Sequence, residues 1–183
     1  MTNPPHSLAS DFRDSLLESY AVNDHMNQLV LKYLDPRAWQ AQPPGKRART
    51  IAAIFTHMHN IRRKWLRLSA PHVKLPSELH RRHASPKQVS AALRQSASAC
   101  SEMLAQALLQ PDGRVTRFHR DGWAPTWPAG ASMFTYMVVH DAHHRGQVCM
   151  LAHQLGFPLP SNVAYKLWSW ERLWKECGFA APH

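Results

Sequence analysis

An all-α fold, a bundle of four long helices with a further helix at the C-terminus, is predicted by three features of the sequence. Long segments free of glycine and proline recur along the chain, their apolar residues fall at steps of three and four, and strand-like alternation is nearly absent. With 183 residues, the chain suffices for one domain with a single core, expected over residues 1–183.

The first helix is expected from Ser7 to Leu34, with Phe12, Leu16, Tyr20, then Met26 or Asn27, Val30 and Leu34 on its apolar side. DPRAW and QAQPPGKR break the pattern, and the second helix, TIAAIFTHMHNIRRKWLRLSA, runs to Pro71. Its stripe is Ile54, Met58, Ile61, Trp65 and Leu68. A proline- and histidine-rich loop leads to the third helix, with Ser85 as N-cap, Pro86 at the first helical position and Pro111 as stop. The stretch GRVTRFHRDGWAPTWPAGAS (113–132) reads as irregular, and its Trp123 and Trp127 are candidates to wall a ligand pocket. The fourth helix, from Ala131, stops at Gly156 with Pro158 beyond it; SNVAYKLWSWERLWKECG forms the last, its Trp168, Trp170 and Trp174 packing it against the rest.

Composition narrows the function. Hydrophobic residues at 44% and charged residues at 19% exclude global disorder. The longest apolar stretches, such as MFTYMVV (133–139), are too short to cross a bilayer, and MTNPPHSLASDF lacks the regions of a signal peptide, so the expected location is cytoplasmic. Cys100, Cys149 and Cys177 are widely spaced and odd in number, which points to reduced, buried thiols rather than a disulfide framework or a cysteine zinc site. A formal net charge of +10 favours acidic partners, nucleic acid included, but the basic runs KRAR (46–49), RRK (62–64) and HRRH (80–83) are scattered and no recognition motif accompanies them. A basic nucleic-acid-binding or stress-response module is therefore the alternative reading.

The chemistry centres on HDAHHRGQ, residues 140–147. A helix turns about 100° per residue, so His140 and His144 stand ~40° apart, one turn above the other, and form a workable chelating pair. They share a face with Met133, Gln147, Val148 and Leu151, the stripe that should point inward. His143 lies to one side, and its spacing from His140 also permits chelation. A third ligand must come from another helix. In HMHN, His57 projects beside Ile54 and Ile61, and His59 to the opposite side. Three inward imidazoles suit Zn²⁺, Ni²⁺ or Fe²⁺ and leave a position for water or substrate. The competing reading is core histidines satisfied by hydrogen bonds, for a chain with 13 histidines forms close pairs by composition alone.

Other candidates flank the histidines. Arg62 and Arg145 are each suited to a substrate carboxylate or phosphate, or to pairing with a neighbouring acid. Gln147 is a candidate to orient a ligand or a bound water, or to be a buried amide bonded to backbone. Asp141 projects away from the stripe and is expected to pair at the surface; Cys149 lies at ~160° from the histidines and has no expected role. No glutamate adjoins the histidines, which disfavours the base of an HExxH hydrolase.

IAAIFTHMHNIRRKWL, HDAHHRGQVCMLAHQLG and YKLWSW together resemble the DinB-like (damage-inducible, DinB/YfiT-type) family of metalloproteins, over most of the chain. The resemblance implies an up-down-down-up four-helix bundle, frequent homodimers, and a histidine triad whose ligands fall here on His57, His140 and His144. It further implies a divalent metal and transfer of a low-molecular-weight thiol, such as bacillithiol or mycothiol, to a small electrophilic substrate. The same Lewis acid would equally serve hydrolysis.

Overall fold

The computed structural model describes residues 8–45, 48–81, 83–110 and 130–179, among which every regular element is helical. Four long helices, α1 (Leu8–Tyr33), α2 (Ile51–Ser69), α3 (Pro86–Leu109) and α4 (Gly130–Gln154), are followed by the short α5 (Ser161–Lys166) and α6 (Trp170–Glu176). Trp123 and Trp127, expected to wall a pocket, lie outside the described residues.

The helix ends follow from local chemistry. Thr50 caps α2 through a bond from the Ala53 N–H to its hydroxyl. At α3, the Ser85 hydroxyl accepts from the Gln88 N–H while the Gln88 side chain accepts from the Ser85 N–H, so two otherwise orphaned donors are satisfied. Gly156, at φ +81°, ends α4: Phe157 N–H reaches Ala152 O at 2.9 Å and Gly156 N–H reaches His153 O at 3.0 Å. An L side chain is strained at that φ, which is why a glycine stands there.

Where one C-terminal helix was expected, two are found. The chain tightens after Lys166, with Trp168 N–H on Tyr165 O and Ser169 N–H on Lys166 O, both at 3.1 Å. The break lets α6 seat Leu173 against Val22, Met26 and Leu29 on the outer side of α1. Trp174 packs at that contact, but Trp168 is 81% exposed and Trp170 44% exposed, so those two do not pack the core. Phe12 also lies outside the core, at 58% exposed.

Two apolar clusters fix the helix directions. One joins Leu17 and Tyr20 in the first half of α1 with Trp65 and Leu66 late in α2, Met103 and Leu104 late in α3, and Met133 and Met137 early in α4. The other joins Val30 and Leu31 late in α1 with Ile51 and Phe55 early in α2, Val89 and Leu93 early in α3, and Val148 and Ala152 late in α4. Hence α1 and α4 run one way and α2 and α3 the other, the up-down-down-up order. Each fully buried aliphatic or aromatic side chain here contributes roughly 1.5–3 kcal/mol.

Because α2 and α3 are consecutive and parallel, residues 70–85 must return along the length of the bundle. Side chains of α2 pin that return: Asn60 donates to Leu79 O at 2.9 Å and accepts from its N–H at 3.2 Å, and Arg63 Nε donates to Pro76 O at 2.6 Å. Between the two apolar clusters lies a polar layer contributed by Asn23, Asp24, Asn27, His57, Arg62, His140, Asp141 and His144. No helix among the described residues is long and apolar enough to cross a membrane.

Candidate metal centre

The polar layer brings His57 of α2 together with His140 and His144 of α4, one nitrogen of each lying within 4.8 Å of the others. Ring centroids are 4.7 Å apart for His57 and His144, 4.5 Å for His140 and His144, and 5.6 Å for His57 and His140. The grouping follows from opposed helix directions: the early part of α2 stands beside the middle of α4. Trp65 closes one side, its ring 5.1 Å from that of His140.

Two contacts orient the rings. His144 Nδ1–H donates to Gln147 Oε1 at 2.7 Å, so its lone pair resides on Nε2. Gln147, which is exposed, in turn donates to His143 Nε2 at 3.0 Å, so His143 stands behind Gln147 and outside the triad. His140 Nδ1 faces Asp141 Oδ1 at 3.6 Å, too long for a hydrogen bond, and neither buried atom has another partner. A carboxylate placed behind a histidine nitrogen leaves the opposite nitrogen for an ion and raises its basicity.

The electrostatics favour uncharged imidazoles. Burial, then the neighbouring His144 and His140, push the His57 pKa down to about 3. Burial also lowers His144, to about 4, against a smaller opposing effect of Gln147. Three imidazole nitrogens within 4.8 Å of one another, with His57 and His144 disposed to stay uncharged, form a donor set that fits a divalent ion of the Zn²⁺, Ni²⁺ or Fe²⁺ type. In the metal-free protein these depressions have a sign. The unfolded chain takes up protons on both residues near pH 6.5, which the folded chain refuses until about pH 4 and 3, so stability declines as pH falls below about 6.5. We expect the urea midpoint of chelator-treated protein to drop between pH 7 and pH 5, and less so in a His57→Gln/His144→Gln variant; equal drops in both would refute the assignment.

Beneath the triad the arginines are occupied. Arg62 is fully buried, donating to Asp24 Oδ1 at 2.8 Å, to Leu93 O at 3.1 Å and to Asp141 Oδ2. Asn23 and Asn27 also donate to Asp141 Oδ2, at 3.0 and 3.2 Å. Arg145 donates to the side-chain oxygens of the same two asparagines, each at 2.9 Å. Burial alone would raise the Asp141 pKa, but Arg62 and His140 beside it hold it down to about 2. Both arginines thus face protein acceptors rather than a substrate cleft.

Asp141 is a correction: expected to pair at the surface, it is fully buried, because α1 covers that side of α4. His59, assigned to the far side of α2, is likewise buried, between Ser96 Oγ at 3.1 Å and Ser77 O at 2.8 Å, where α3 and the return segment cover it. Of the cysteines, Cys100 is buried and the other two are half-buried, all free. Asn23 and Asp24 had gone unassigned, and Asn27 entered only as an alternative to Met26 on the α1 stripe. Their signal was present: the α1 stripe passes from Tyr20 to Val30 without a gap only if polar residues at 23 and 27 are inward-facing.

An all-α bundle carrying three clustered histidines on two neighbouring helices defines a candidate bundle metalloprotein. Comparison with family models makes that particular: the DinB family model matches residues 8–172, and the chain belongs to the DinB family. No curated protein and no solved structure gives a match.

Proposed function

We propose that the protein is a metal-dependent enzyme in which His57, His140 and His144 hold a divalent ion and a low-molecular-weight thiol is transferred to an electrophilic small molecule. The observation that carries this reading is three imidazoles with ligand nitrogens within 4.8 Å of one another, one of which, His57, lines a cleft of about 950 Å³. An ion held there lowers the pKa of an entering thiol and so favours its nucleophilic form.

The chain's own residues position and wall the site. Asp141 and Gln147 orient the imidazoles, and Trp65 shields one side. In the reaction the thiol loses its proton to solvent, its sulfur forms a bond to the electrophilic carbon, and the leaving group departs with the electrons of the broken bond. The cleft beside His57 has one carboxylate in its lining, Glu78, whose oxygen lies 3.3 Å from Arg63. The lack of an uncommitted carboxylate there, among the described residues, supports a thiol as nucleophile over hydrolysis by a carboxylate-activated water.

The test is elemental analysis of protein purified without a histidine tag, beside a folded His57→Ala/His140→Ala/His144→Ala variant, followed by thiol-consumption assays with an alkyl or aryl halide. Near-stoichiometric metal and thiol loss in the wild type, both absent from the variant, are expected. A wild type that takes up none of Zn²⁺, Ni²⁺ or Fe²⁺ overturns the reading.

A further inference from the structure

We propose that the cleft between α2 and the return segment 76–83 binds an oxyanionic group, a carboxylate or phosphate, of the substrate, and that Arg49 and Arg81 are the residues that hold it. This deepens the proposed function and rests on it for the identity of the reacting site, but the anion site itself is independent of metal.

The cleft is lined by Arg49, Arg63, Lys64, Arg67 and Arg81 against the lone carboxylate of Glu78, with His57 in the same wall. Such an excess of positive charge around a concave surface attracts anions and concentrates them near the histidines. The cations divide by commitment. Arg63 is engaged by Pro76 O and Glu78, holding the far wall in place. Arg49, Arg67 and Arg81 are exposed and have neither a hydrogen-bond nor an ion-pair partner among the described residues, but Arg67 stands nearly three turns along α2 from His57, ~15 Å away.

Their position is set by neighbouring structure. Arg49 immediately precedes the Thr50 cap of α2, and it also lines a second cleft with His143 and Gln147. Arg81 follows the segment fastened by the two Asn60–Leu79 bonds. Both line the cleft into whose wall His57 is set. Guanidinium groups with unoccupied donors there match a planar carboxylate or a phosphate in bidentate fashion. The arginines that sequence spacing nominated, Arg62 and Arg145, have their donors turned to buried protein acceptors, so the exposed pair takes the anion-binding role.

The experiment is calorimetric titration of chelator-treated protein, and separately of metal-loaded protein, with inorganic phosphate and with succinate at low ionic strength. Saturable binding of at least one anion is expected for the wild type, and the tighter of the two identifies the group recognised. Arg49→Gln and Arg81→Gln should each weaken it about tenfold or more. Arg94→Gln, in the separate cleft between α1 and α3, should leave it unchanged, as should circular dichroism in all three variants. Wild-type protein that binds neither anion, or variants at 49 and 81 that bind as wild type, would overturn the proposal. So would a short DNA duplex that binds more tightly with the same arginine dependence, since the cleft would then be a nucleic-acid surface. Metal content of every sample is measured alongside. Loss of anion binding with metal retained isolates the arginines, whereas wild type that takes up no metal when challenged with Zn²⁺, Ni²⁺ or Fe²⁺ yet still binds the anion sinks the metalloenzyme reading alone.

Discussion

Arg62→Met should destabilise the protein by about 3–5 kcal/mol, a large part of the roughly 5–15 kcal/mol that holds an ordinary domain folded. Methionine replaces most of the volume, so the loss is electrostatic. Among the described residues Arg62 is the one cation bonded to both Asp24 and Asp141, and its removal leaves two buried carboxylates without that partner. Burial already raises the Asp24 pKa, with Arg62 opposing the rise, so the variant takes up protons as it folds and its residual stability should improve toward acid pH. Lysine should rescue poorly, since one ammonium cannot reproduce a fork that reaches Asp24, Asp141 and Leu93 O together. Urea unfolding followed by tryptophan fluorescence measures the effect; should Arg62→Met fail to fold, Asp24→Asn in the wild type gives a milder reading of the same network. A change below about 1 kcal/mol in Arg62→Met would mean the layer is solvated in a way that its burial denies.

Asp141→Asn should reduce divalent-metal affinity by about 10- to 100-fold while leaving the three histidines in place. The substitution removes the negative charge that faces His140 Nδ1, the contact that favours one ring orientation and makes the opposite nitrogen a stronger donor. Asp24→Asn is the control, for Asp24 shares Arg62 but has no contact with His140. Both variants should lose stability; only the first should lose metal affinity, read by competition with a chromogenic chelator. Equal affinities in the two variants would show that Asp141 serves folding alone.

The parts of this architecture that were legible in the sequence are those set by local chemistry. Helix ends at Ser85 and Gly156 follow from a hydroxyl cap and a glycine at positive φ, and depend little on anything distant in the chain. The inward pair His140 and His144, and His57 rather than His59 facing them, follow from helical periodicity within single elements. Periodicity assigns one face to the interior, and that is where it stopped short. It assumed that a residue off the stripe meets water, whereas α4 is covered by α1 as well as α2, so Asp141 is buried, and α2 is covered by α3, so His59 is buried too.

The division is therefore one of range. The sequence by itself determined that the chain is helical, where its long helices stop, and which three histidines share an inward face, because each depends on interactions within a few residues. Only the tertiary structure decided that Arg62 and Arg145 support the interior while Arg49 and Arg81 face the cleft, and that the last segment bends so that Leu173 meets α1. Those outcomes depend on which surfaces of which helices cover one another, and a guanidinium is structural or available according to the carboxylates and carbonyls that packing brings to it.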